Sequence, residues 1–108
     1  MIRIRIDRQK QQYRSLTARG HAVFSDEGSD IVCAAVSALM INTANSLEQF
    51  TDDGIVIEEG GAQEGYLKIE FTERPSSKGK LLMDSLILGL EMIRQEYGEA
   101  FVMLEDDE

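Results

Sequence analysis

Two side chains in this sequence can do covalent chemistry near neutral pH, and each occurs once: His21 and Cys33 are the sole histidine and the sole cysteine of 108 residues. They stand twelve positions apart in the stretch GHAVFSDEGSDIVCAAVSALM, residues 20–40. A cysteine becomes a nucleophile when its thiolate is favoured, which a helix N-terminus or a neighbouring imidazole achieves. Gly28 breaks the chain and Ser29 or Asp30 can cap a helix, so Cys33 is predicted in that helix's first turn, where amides lack intrahelical partners and the dipole is positive. His21 follows a predicted strand, and the loop over residues 22–29 can fold it back onto the helix start. Position alone leaves a second reading open. A helical cysteine is more often a small buried hydrophobe, and an isolated histidine in a turn commonly just satisfies local hydrogen bonds.

Other chemistries fit less well. A structural zinc site wants about four Cys or His ligands, and one of each beside Asp26, Glu27 or Asp30 is an odd set, so no metal and no cofactor is expected. Ser25, Ser29 and Ser37 lack the sequence surroundings of a serine nucleophile and read as capping or packing residues. Gly20 and Gly28 bracket the histidine-bearing loop and make it a candidate lid.

The elements that must position this pair are short. IRIRID alternates strictly and sets Ile2, Ile4 and Ile6 on one face of a strand. Residues 13–20 alternate more weakly and are expected to return as its hairpin partner. GIVIEEGGAQEGYLKIEF supplies two further strands around a Gly-rich turn, with Leu67, Ile69 and Phe71 on one side and Tyr66, Lys68 and Glu70 on a wet side. The first helix is expected from about Ser29 to Phe50, burying Val32, Val36, Leu39, Met40, Leu47 and Phe50. Its first turns are apolar nearly all round, the pattern of a helix covered on more than one side, within the domain or by a second copy of the chain. A second helix, capped at Ser77 or a neighbour and stopped by Gly98, presents Leu82, Leu86, Leu90, Ile93 and Tyr97. The strand AFVML then precedes an acidic tail, residues 105–108, expected to be disordered. The fold class is therefore α+β: a small, mainly antiparallel sheet, in the order β-β-α-β-β-α-β, with two helices packed on one face.

Length fits one domain over residues 1–108. Twenty acidic residues against eleven basic ones give a net charge of −9. No phosphate-tracking patch is expected from the scattered basic residues, so nucleic acid is not an expected partner, and the surface suits solubility or the steering of a basic one. MIRIRIDRQK lacks the apolar run of a signal peptide, and Ser37, Asn42 and Asn45 interrupt the longest apolar stretch before it reaches a membrane span. A cytoplasmic protein with no membrane partner is expected.

Taken together, GHA, then GSDIVCAAVSAL, then NSL one turn later resemble the ribosomal-processing cysteine protease family, often called Prp, and the likeness extends to the arginine-bearing first strand and to LLMDSLILGLEMI. The resemblance implies a cytoplasmic cysteine endopeptidase, a dimer, that removes the N-terminal extension of the precursor of a large-subunit ribosomal protein, the twenty-seventh. His21 matches the family's histidine and Cys33 its nucleophile. Asp30 also matches the motif, and its place three residues before Cys33 suits capping and orientation of His21 better than direct activation of sulfur, because a carboxylate beside a thiolate raises the thiol pKa. Ser37, one turn beyond Cys33, reads as a packing residue. Val23, Phe24 and Ser25 depart from the residues expected in that loop and bear on peptide preference. Two alternatives from other classes stand beside this one: a non-enzymatic thiol redox switch pairing Cys33 between chains, and an assembly module that binds a ribosomal protein without cutting it.

Overall fold

The computed structural model describes residues 2–20, 29–60, 65–98 and 102–107. Their order is β1 (Ile2–Gln9), β2 (Gln12–Arg19), α1 (Ser29–Phe50), β3 (Ile55–Glu59), β4 (Tyr66–Phe71), α2 (Ser77–Tyr97) and β5 (Val102–Asp107). The strands form one sheet in the order β3-β4-β2-β1-β5. Both expected hairpins are present, β1 with β2 and β3 with β4, and β2 joins them by pairing antiparallel with β4. Only β5 runs parallel, along β1, because α2 carries the chain back before it rejoins the sheet.

Strict alternation in β1 does what its pattern dictates: Ile2, Ile4 and Ile6 are buried under the helices, while Arg3 and Arg5 face outward. Leu67, Ile69 and Phe71 do the same from β4. The weaker pattern of β2 has a structural cause. It is the central strand, and Ser15, Leu16, Thr17 and Ala18 are all buried, two from each face. An irregularity between Asp7 and Arg8 shifts the register there, pairing Arg8 with Tyr13.

Two helices cover the inner face. In α1, Val32, Val36, Met40 and Leu47 are fully buried, but Phe50, expected in that stripe, is the last residue of the helix and 63% exposed. By length and composition Ile31–Phe50 is apolar enough to cross a membrane, which corrects the expectation that its polar interruptions forbid this. In the fold 33% of that apolar window is buried, and Ile31, Ile41 and Phe50 are exposed. The cap of α2 is Ser76, whose hydroxyl accepts the Gly79 amide at 3.1 Å and donates to Asp53 at 2.9 Å. Gly98 ends α2 at φ 96°, its N–H donating to the Arg94 carbonyl at 2.7 Å. Leu86 and Leu90 are core as expected, joined by Met83. Tyr97, at the frayed last position, is exposed.

The acidic end requires a further correction. Residues 105–107 are not a disordered tail but the second half of β5. Arg5 and Arg8 of the neighbouring β1 draw them in: Arg8 forks onto Asp106 at 2.9 and 3.0 Å, and Arg5 reaches Asp107 at 2.7 Å. Parallel pairing supplies the backbone bonds and the arginines neutralise the charge.

Candidate active site

Gly20 closes β2 in a left-handed conformation, φ 86°, and its N–H donates to the Gly65 carbonyl at 2.8 Å. The chain is thereby tied to the head of β4 just before residue 21. His21 and Gly28, two of the expected site residues, lie outside the described residues. Description resumes at Ser29, the first residue of α1, with Asp30 the second.

Cys33 is the fifth residue of this helix, so it sits one or two residues further in than a cap at Ser29 or Asp30 implies. The difference matters for the chemistry. Amides of residues 29–31, not that of Cys33, are the ones without intrahelical acceptors. A helical side chain leans towards the N-terminus and over the preceding turn. The residue is half-buried, resting against the core beside the fully buried Val32 and Val36. That is neither a sealed core position nor a bare surface one, and it suits a nucleophile that must be both desolvated and reached. Ser37 is half-buried one turn on. Ala34 and Ala38 of the same helix are exposed. Among the described residues no group of three His, Cys, Asp or Glu side chains stands together as a metal site.

Sequence reasoning missed two other groupings. One is inner and structural: the Tyr13 hydroxyl donates to Asp84 of α2, which also accepts from Lys80 at 3.1 Å. Burial, reinforced by that carboxylate, pushes the Tyr13 pKa up to about 12. The other lies on the outer face of the sheet, where Arg3 of β1 stands opposite Arg19 of β2. Neither was visible before the register was known.

A half-buried cysteine near the start of α1 suits the chemistry of a cysteine-type peptidase. Comparison with known proteins agrees, for residues 1–102 match the family model described as cysteine protease Prp. The chain belongs to that family. It is 33% identical over 93 residues to the ribosomal processing cysteine protease Prp of Bacillus subtilis (strain 168), covering 77% of each chain. It is 32% identical over 94 residues to the protein of the same name from Mycoplasma pneumoniae, covering 87% of this chain and 88% of that one. Among solved structures, a Streptococcus mutans protein superposes with a TM-score of 0.90 at 30% identity, over 100% of this chain and 96% of its own. The essential ribosomal processing protease Prp from S. aureus, in complex with a substrate peptide, also gives 0.90, covering 98% and 99%, and at 23% identity this shows the shared fold.

Proposed function

We propose that this protein is the cytoplasmic endopeptidase that removes the N-terminal extension from the precursor of the twenty-seventh large-subunit ribosomal protein, with Cys33 as nucleophile and His21 as its acid-base partner. The half-buried position of Cys33 over the first turn of α1 carries this reading. The Cys33 thiolate attacks the scissile carbonyl, and the negative charge that develops on oxygen is met by the amides of residues 29–31, which have no intrahelical acceptor. The C–N bond then breaks, the departing amine takes a proton from His21, and a thioester to Cys33 remains. Water, deprotonated by His21, attacks the thioester, releasing the carboxylate product and the thiol. Asp30, on the helix's first turn, caps the helix and orients the imidazole; Gly20 and Gly28 bound the segment that carries it. The S. aureus family member is solved both with a substrate peptide and with a covalently linked product peptide, which supports the covalent route.

The test is direct. Incubation with the precursor ribosomal protein should give a shortened product by mass spectrometry, and Cys33→Ser should cut the rate on the order of 10⁴-fold or more while the fold stays nearly as stable. Binding of the precursor without a shortened product from the wild type would favour the assembly module, and a disulfide between two chains as the sole response would favour the redox switch.

A homodimer is part of the same proposal, on revised grounds. Val36 and Met40, expected in the buried stripe, are fully buried within one chain and offer nothing to a partner. What the helix layer offers outward is Ile31 and Ile41 from α1 and Leu81, Leu88 and Met92 from α2, all between 49% and 67% exposed. The last three recur at helical spacing along one side of α2. Such an apolar layer suits a two-fold contact. Sedimentation should give twice the chain mass, and Leu88→Lys should shift it to one; a wild type that stays monomeric at high micromolar concentration removes this part.

A further inference from the structure

The outer face of the sheet carries an arrangement that neither stability nor solubility accounts for. Four cations point outward there. Arg5 is spent on Asp7 at 2.9 Å and Asp107 at 2.7 Å, and Lys68 on Glu70 at 3.8 Å. Arg3 and Arg19 are different. They face each other across β1 and β2, a like-charge pairing that weakens a sheet, and among the described residues neither takes part in an ion pair. Both are exposed. The Arg19 guanidinium lies 4.6 Å from the centroid of the Tyr66 ring, and the Tyr66 hydroxyl donates to Glu58 at 3.3 Å. Stacking of this kind holds the guanidinium while leaving its N–H edges to a planar, bidentate acceptor. The two arginines and Tyr66 line a recess of about 360 Å³. In a chain of net charge −9, two adjacent cations that pair with no carboxylate among the described residues form a site suited to an anion.

We propose that the Arg3, Arg19 and Tyr66 recess is a substrate subsite that takes the side-chain carboxylate of an acidic residue in the precursor's extension. This rests on the function proposed above. A nucleic acid is the poorer occupant: Asp7 and Glu105 line the same recess, and a phosphate backbone needs a run of unpartnered cations. One carboxylate needs only this pair. In sequence, Arg19 immediately precedes Gly20 and the segment bearing His21. The charge of the whole chain and of this patch then divide the work. A net −9 field draws in a basic ribosomal protein, and the local arginine pair fixes the register of its extension.

The experiment measures steady-state cleavage of a synthetic peptide spanning the precursor's extension and cleavage point, using wild type, Arg3→Gln, Arg19→Gln and the double variant. Each single substitution should raise KM roughly fivefold and the double roughly tenfold or more, with kcat unchanged. Replacing the peptide's Asp and Glu residues by Asn and Gln should raise the wild-type KM by the same factor and abolish the difference between enzymes. The double variant should melt no lower than wild type, since a like-charge contact is relieved. An unchanged KM in the double variant, or an acid-free peptide that still distinguishes the two enzymes, overturns the proposal. So does inhibition by mixed-sequence single-stranded RNA that the double variant escapes, which would assign the recess to phosphate. If the wild type does not cut the precursor at all, the proposed function itself fails; cleavage with insensitive KM sinks only the subsite.

Discussion

The two ends of the sheet are built on opposite terms. At the hairpin end, where β1 runs into β2, charges are matched: Arg8 forks onto Asp106 and stacks 4.5 Å from the Tyr13 ring centroid, and Tyr13 and Lys80 share Asp84. Hydrogen bonding from Arg8 holds the Asp106 carboxyl below its ordinary pKa. At the other end, where β2 runs out through Gly20, two arginines confront each other with no ion partner among the described residues, and the next helix in sequence carries a half-buried thiol near its start. Local rules are met at the end that holds the fold and relaxed at the end proposed to hold substrate. That separation is the common arrangement in enzymes, where the cost of a reactive or unneutralised group is offset by packing elsewhere.

The largest effect expected from disturbing the site end is that of His21→Ala. If His21 supports the thiolate, alkylation of Cys33 in the wild type should follow an apparent pKa below the roughly 8.5 of an ordinary thiol, and the variant should move it upward. Turnover should fall about 10²- to 10⁴-fold, and raising the pH should not restore it, because added thiolate cannot supply the proton the leaving amine needs. Coupled groups titrate as a pair, so the wild type can show two steps where the variant shows one. Superimposable alkylation curves with cleavage intact would mean that no dyad exists and that the contrast between the two ends is one of charge only. Melting behaviour should barely change, which separates this substitution from any at the hairpin end.

What the sequence made legible follows from how local each signal is. The alternation of Ile2, Ile4 and Ile6, the stop at Gly98 and the start of α1 at Ser29 each depend on a few neighbouring residues, and each is found where the pattern places it. The motif around Cys33 was legible for the same reason. The Arg3 and Arg19 juxtaposition was not, because it depends on the register of β1 on β2. That register turns on Lys10 and Gln11, which adopt φ of 52° and 67°, and no Asn-Gly or Gly-rich pair announces a tight turn there. Residues without a left-handed preference pay roughly 1 kcal/mol each for such geometry, so pairing of the strands must impose it. The end of the chain was misread in the same way: EDDE looks like a solvated tail until Arg5 and Arg8 are seen beside it. Phe50 and Tyr97 obey the helical period yet end exposed, since periodicity specifies a face and not how far the sheet beneath it extends.

The smaller effect belongs to the hairpin end, and Tyr13→Phe isolates it. The substitution removes a donor from Asp84 without opening a cavity, and should cost about 1–2 kcal/mol of stability while kcat for precursor cleavage is unchanged. Its pH dependence gives the sharper check. Burial works to raise the Asp84 pKa, but hydrogen bonds from Tyr13 and Lys80 outweigh it, so the folded-state value lies below the ordinary one; Asp106 is lowered by Arg8. A carboxylate whose folded pKa is depressed stabilises the fold above its unfolded pKa, about 3.9, and loses that contribution as pH falls through the folded value. Wild-type urea midpoints should therefore hold steady from neutral pH to about 5 and drop below about 4. Tyr13→Phe should start lower and fall less steeply, because Asp84 has lost one of the bonds that held it ionised. The alkaline limb has the opposite sign. Tyr13 is raised to about 12, so its contribution is complete below the ordinary tyrosine value of about 10 and is lost as pH climbs towards 12, a loss the phenylalanine variant should not show. Parallel acid limbs for the two proteins would mean that Asp84 is held by Lys80 alone, and a fall in kcat would mean that the hairpin end is not separate from the chemistry.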